Sequence, residues 1–242
     1  MPKRKGQMIE RTLYSSFLQE DVSLMIYLPE HYSPLYSYPT VYLQDGYDYF
    51  SLGKMATQLD HLIAEGKIER CIAVGVPVSD SKKRFDRYSP KGSRHQAYIR
   101  FFGEELVSFI DHELATQPIS GARAVMGDSL GGGASLAIAM AYPHTFHYAV
   151  SQSGAFFDDL DKRIEAYTHS PALLSIYLSI GLQETEVSTS RGNMDLLRLN
   201  HEAKERLEQH GFPVYFREFE GDHTWTYWSE DLLHALTHIW GK

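Results

Sequence analysis

The run Gly127-Asp128-Ser129-Leu130-Gly131 sets a serine between two glycines in the spacing G-x-S-x-G. A serine hydroxyl is a weak nucleophile until a base takes its proton, and it must stand clear of the backbone to be reached. A sharp turn from strand to helix gives that exposure. Residues 122–126 read as the strand and 132–142 as the alanine-rich helix. Gly127 and Gly131 fall where a Cβ would meet the crossing backbone. The same turn would aim the Leu130 amide at a reacting oxygen, with positive partial charge added by the helix N-terminus.

An activated serine needs a base, and the base needs an orienting acid. Twelve histidines are available. His223 is the candidate base, because Glu220-Gly221-Asp222-His223-Thr224-Trp225 follows a predicted strand end directly. Glu184 is the candidate acid, in the polar loop after another strand end, with Glu186 as the alternative two residues on. Asp222 abuts His223 and reads as loop-shaping; Asp128 should point away from the reacting face. A second oxyanion amide is expected from Gln44-Asp45-Gly46-Tyr47, with Tyr47 as the donor. The chain order Ser129, Glu184, His223 is that of an α/β-hydrolase. His234 and His238 lie four apart on a predicted helix, but no third ligand signal accompanies them, so no metal or other cofactor is expected.

These residues need a scaffold that brings loop ends together. Strands are predicted over 9–17, 23–28, 40–43, 71–76, 148–151, 173–180 and 214–219, besides the one before Ser129. Helices are predicted over 54–65, 98–114, 194–210 and 230–240, besides the one after Ser129. From Thr40 onward the two types alternate, which predicts a mostly parallel central sheet with right-handed crossovers and helices on both faces. Ligands bind at the carboxyl ends of such strands, where all the candidates fall. Nothing divides the chain, so residues 1–242 read as one α/β domain. Only about twenty residues separate two of its later strands, too few for a large lid.

Composition narrows the partners. Lys and Arg number 23 against 31 Asp and Glu, a formal net charge of −8. That argues against a nucleic-acid partner, which requires clustered positive charge. The one cysteine, Cys71, lies in an apolar run and reads as a buried hydrophobe rather than a nucleophile. The basic start is followed by no apolar stretch, and nothing approaches the roughly 20 apolar residues of a membrane span. A cytoplasmic location is the resulting expectation, with no membrane partner; oligomeric state is left open. Lys82, Lys83, Arg84, Arg87, Lys91 and Arg94 crowd one segment, read as a loop that could rim the site with positive charge. Arg84 and Arg87 are its substrate-binding candidates. Phe156, Trp225 and Trp228 are the aromatic ones.

Taken together, Leu43-Gln44-Asp45-Gly46, Gly127-Asp128-Ser129-Leu130-Gly131-Gly132, Gly181-Leu182-Gln183-Glu184 and the ending from Glu220 to Trp225 with Trp228 resemble the esterase D-like family of α/β-hydrolases. The look is closest to its siderophore-esterase branch and bacterial relatives of that branch. Asp222 departs from the family, many of whose members carry a second glycine there. The resemblance implies a serine carboxylic-ester hydrolase working through an acyl-enzyme on a small or medium ester, an anionic or aromatic one such as a siderophore ester among the candidates. An acyltransferase using the same residues and a non-catalytic binding module remain the alternatives.

Overall fold

In the computed structural model, residues 5–78, 80–157, 159–189 and 192–241 are described. The strands are β1 (Gln7–Ser15), β2 (Glu20–Leu28), β3 (Thr40–Leu43), β4 (Ile72–Gly75), β5 (Arg123–Asp128), β6 (Tyr148–Gln152), β7 (Ser175–Gly181), β8 (Val187–Thr189), β9 (Gly192–Met194) and β10 (Val214–Phe219). All but β8 and β9 join one sheet in the order 1-2-4-3-5-6-7-10. β2 runs antiparallel to both its neighbours, and the rest of the sheet from β4 to β10 is parallel.

Every residue of β3, β4 and β5 is buried, as expected of strands covered on both faces. Alternation then sorts their side chains. Tyr42, Val125, Ile176 and Leu178 enter one core layer; Val41, Leu43, Met126, Val150 and Tyr177 enter the other.

The helices are α1 (Gly46–Ser51), α2 (Met55–Ala64), α3 (Ser81–Tyr88), α4 (His95–Arg100), α5 (Val107–Glu113), α6 (Ser129–Ala141), α7 (Leu160–Ala166), α8 (Leu196–Gln209) and α9 (Trp225–Trp240). A π-wound turn, Phe101–Leu106, joins α4 to α5, so the predicted helix over 98–114 exists but starts three residues early. α2 and α9 cover one face of the sheet through Leu59, Leu62, Leu232 and Leu236. The helical run over 95–113, α6 and α8 cover the other through Tyr98, Phe102, Ile138 and Leu207. Between β6 and β7 the described residues hold only α7 and one 3-10 turn, with no lid.

Two expectations change. The basic segment is a helix rather than a loop over Ser81–Tyr88, and Asp80 caps it by accepting the Lys83 amide at 2.8 Å. α9 starts at Trp225, five residues sooner than expected. Trp225, Trp228 and Leu232 extend its apolar stripe at helical spacing.

Candidate active site

Ser129 is the last turn out of β5 and the first residue of α6, held at φ +51°. That left-handed conformation costs a non-glycine residue about 1–2 kcal/mol, so the surrounding structure must enforce it. A Cβ on Gly127 would lie 2.3 Å from the Gly131 carbonyl oxygen, which rules out any side chain there. At Gly131 the nearest obstacle is the Gln44 Cβ at 3.0 Å, a closer fit than usual but a milder constraint than the sequence suggests.

The structure brings Ser129, His223 and Glu184 into one hydrogen-bonded chain. His223 Nε2 lies 2.9 Å from Ser129 Oγ, and His223 Nδ1 lies 2.6 Å from Glu184 Oε2. A carboxylate only accepts, so the imidazole proton on that side belongs to Nδ1 and Nε2 is free to accept. Glu184 is fully buried. Its loop is pinned to the start of α8, whose Leu196 and Leu197 amides donate to the Glu184 carbonyl at 2.9 and 3.1 Å. The alternative acid, Glu186, instead accepts from Asn193 Nδ2 at 3.1 Å, on the exposed hairpin. Asp222 is exposed and accepts from Thr224 Oγ1 at 2.6 Å, shaping the loop.

Glu184 has partners that the sequence gave no sign of. Its Oε1 accepts from Ser153 Oγ at 2.6 Å and from the Gly181 amide at 2.9 Å. Ser153 Oγ accepts in turn from Trp228 Nε1 at 2.8 Å. The Trp228 ring also meets the His223 ring edge-on, with centroids 4.7 Å apart.

Electrostatics are concentrated on the other side of the serine. Arg84 Nε donates to Asp45 Oδ2 at 2.8 Å, and its Nη2 reaches the Asp128 carbonyl at 3.2 Å and Asp128 Oδ2 at 3.4 Å. One guanidinium thus ties the loop after β3 to the elbow after β5. Burial is the dominant influence on Asp45 and pushes its carboxyl up to about 7, against the pull of Arg84 and reinforced by Asp128. Burial likewise raises Asp128. The α1 helix starts directly after Asp45, so Tyr47 lies in its first turn, where helix amides have no intrahelical partner. The Tyr47 side chain is 62% exposed.

Ser129, Leu130 and His223 open on a cleft of about 600 Å³. It is lined by Ser81, Lys82, Arg84, Phe85 and Lys91 from the basic segment and by Phe157, Ser188, Thr189 and Leu196. Of the basic segment, then, Lys82, Arg84 and Lys91 face the cleft, and Arg84 is engaged by two carboxylates.

Four expected ligand contacts are corrected. Arg87 is buried against Glu20 and the face of Tyr98, away from the cleft. Phe156 turns into the core, and its neighbour Phe157 lines the cleft in its place. Trp225 packs edge-on against Tyr49, with ring centroids 4.8 Å apart, and lies over Gly53. Trp228 is buried behind His223. Neither tryptophan lines the cleft, because α9 starts early and directs them onto the sheet side. His234 is exposed, while His238 packs against the rings of Tyr177 and Tyr215, which also stack on each other.

Known proteins share this fold. The chain is 41% identical over 240 residues to the uncharacterized protein YjcH of Bacillus subtilis (strain 168), covering 98% of each chain. Its fold matches a ferulic acid esterase with a TM-score of 0.81 at 19% identity, covering 97% of this chain and 98% of that one. The enterobactin esterase FES of Shigella flexneri matches with a TM-score of 0.81 at 18% identity over 97% of this chain. That match takes in 59% of the Shigella chain, so the present chain spans well under two thirds of its length. The sheet order and flanking helices are those of the α/β-hydrolase fold these structures share. The family model described as "Putative esterase" matches residues 15–239, and the chain belongs to that esterase family.

Proposed function

We propose that the protein hydrolyses carboxylic esters through an acyl-enzyme on Ser129. The observation that carries this reading is the unbroken chain from Ser129 Oγ through both His223 nitrogens to Glu184, at the mouth of an open cleft. Ser129 Oγ attacks the ester carbonyl carbon while His223 Nε2 takes its proton. The tetrahedral oxyanion is held by the amides of Leu130 and Tyr47. His223 then gives its proton to the leaving alcohol oxygen. Water attacks the acyl-enzyme, loses a proton to Nε2, and the acid departs as Ser129 recovers its hydrogen. Glu184 keeps the imidazole in the tautomer that this cycle needs and stabilises the imidazolium.

The cleft walls favour an ester that carries negative charge and an apolar or aromatic body. Phe85, Phe157, Leu130 and Leu196 supply the apolar surface, and Lys82 positive charge. Arg84 contributes less than its charge suggests, since Asp45 and Asp128 already neutralise it.

A fluorophosphonate probe tests the nucleophile: one covalent adduct forms on the wild-type protein and none on Ser129→Ala. Hydrolysis of short aryl esters should vanish in the same variant with its circular dichroism spectrum kept. An unlabelled wild-type protein would remove the enzyme reading and leave a binding module. The charge preference is read from Lys82→Glu, which should slow hydrolysis of anionic aryl esters but spare neutral ones.

A further inference from the structure

Behind the proposed acid lies a hydroxyl whose direction is fixed by its neighbours. An indole nitrogen only donates, so the 2.8 Å contact from Trp228 Nε1 makes Ser153 Oγ the acceptor. The Ser153 hydrogen must therefore point elsewhere, and Glu184 Oε1 stands 2.6 Å away. With the Gly181 amide also on Oε1 at 2.9 Å and His223 on Oε2, every protein group facing this buried carboxylate donates to it. No room is left for a proton on Oε1, because it would meet two other hydrogens. The side chain is locked in place as an acceptor, with one oxygen committed to the imidazole.

Backbone geometry points the same way. Ser153 is held at φ +49°, a left-handed conformation that glycine would adopt without strain. Its amide donates to the Ser179 carbonyl at 2.7 Å, which anchors the turn to β7. A serine in that conformation is disfavoured on stability grounds alone, so its hydroxyl must be what the position requires. Trp228 adds a second constraint. Its N–H orders Ser153, and its ring packs edge-on against the imidazole that Glu184 orients.

We infer that Ser153 and Trp228 are positioning residues for the ester hydrolysis proposed above, acting through Glu184 to hold its carboxylate aimed at His223. The inference rests on the esterase reading. Neither residue touches the cleft, so their loss should leave substrate binding alone and slow the chemical steps.

The test is steady-state hydrolysis of a neutral aryl ester by Ser153→Gly, Ser153→Ala, Trp228→Phe and Glu184→Ala. Ser153→Gly relieves the backbone strain but leaves the buried Trp228 N–H without its acceptor, so its melting temperature should fall, and kcat in the folded fraction should drop about tenfold to a hundredfold at constant KM. A merely structural role predicts the same loss of stability with unchanged kcat in the folded fraction. Trp228→Phe keeps the ring but removes the donor, and should lose kcat in the same way. In the Glu184→Ala background, Ser153→Ala should add no further loss, since a residue acting only through the carboxylate has nothing left to act on. Wild-type kcat in Ser153→Gly, or losses that multiply in the double variant, would overturn the inference while leaving the esterase reading intact. A wild-type protein that neither labels nor hydrolyses would instead overturn that reading.

Discussion

Arg84 grips Asp45 at 2.8 Å while reaching Asp128 with its other arm, so a single cation serves two buried carboxylates. Two buried acids compete for one positive charge. Burial outweighs the pairing, and the Asp45 carboxyl is pushed up to about 7. The charge count explains why Arg84, placed in the cleft wall, is a poor receptor for a substrate anion. It also makes the loop after β3 sensitive to pH.

The sign of that sensitivity follows from linkage. A carboxyl whose folded value lies above its unfolded value near 3.8 binds its proton more tightly in the folded state. Its contribution to stability is fully present below about 4 and is lost as pH rises toward about 7. Asp45→Asn carries no titrating group, so it should not lose that contribution. The melting temperature of Asp45→Asn relative to wild type should therefore climb between pH 5 and pH 8. A difference that stays flat across that range would show that Asp45 does not carry the proton.

Strain at the nucleophile gives a second expectation. Ser129 is held at φ +51° whatever it does chemically. Ser129→Gly and Ser129→Ala both remove the hydroxyl, but only glycine is at ease in that conformation. Ser129→Gly should be the more stable of the two by about 1 kcal/mol, measured by denaturant unfolding, with hydrolysis absent in both. Equal stabilities would mean that the turn is not under strain.

What could be read from the sequence follows from what leaves a periodic or punctuated trace. β3, β4 and β5 are buried on both faces and announce themselves as unbroken apolar runs. The elbow, the Glu184 loop and the His223 loop are each marked by glycines at strand ends. α3 leaves no such trace: five of its eight residues, in Ser-Lys-Lys-Arg-Phe-Asp-Arg-Tyr, are charged. Its helix is held by the Asp80 cap and by ion pairs to residues distant in the chain, Glu20, Asp45 and Asp128. Such partners cannot be counted from spacing, which is why Arg87 looked like a free cation. Ser153 is subtler. The only hint is the polar Gln152-Ser153-Gly154 at the carboxyl end of β6, and nothing local says that its hydroxyl meets a residue thirty-one positions on.

Glu184 tests whether the acid matters at all, or whether Ser129 and His223 suffice as a pair. The carboxylate is buried, accepts three hydrogen bonds and has no exit to solvent. In Glu184→Gln an amide NH2 would have to face either the imidazole N–H or the Ser153 and Gly181 donors, so the imidazole loses its tautomer control. The kcat of Glu184→Gln should fall by roughly 10³–10⁴, by analogy with loss of the orienting acid in other triads. A loss under about tenfold would favour the serine–histidine pair alone.

Arg87 separates structure from substrate binding within one basic helix. Its guanidinium is buried beside Glu20, which also draws Lys83 at 3.6 Å and Arg94 at 4.0 Å. Removing one member of a buried pair leaves the other uncompensated, at a typical cost of 3–5 kcal/mol. Glu20 is a quarter exposed and keeps two other cations, so Arg87→Met should lie at or below the bottom of that range. Its KM for an anionic ester should match wild type, because Arg87 does not reach the cleft. Lys82→Met should do the opposite: KM rises and the melting temperature holds, since Lys82 is exposed on the cleft wall. A KM effect at Arg87 without loss of stability would return that residue to the substrate site.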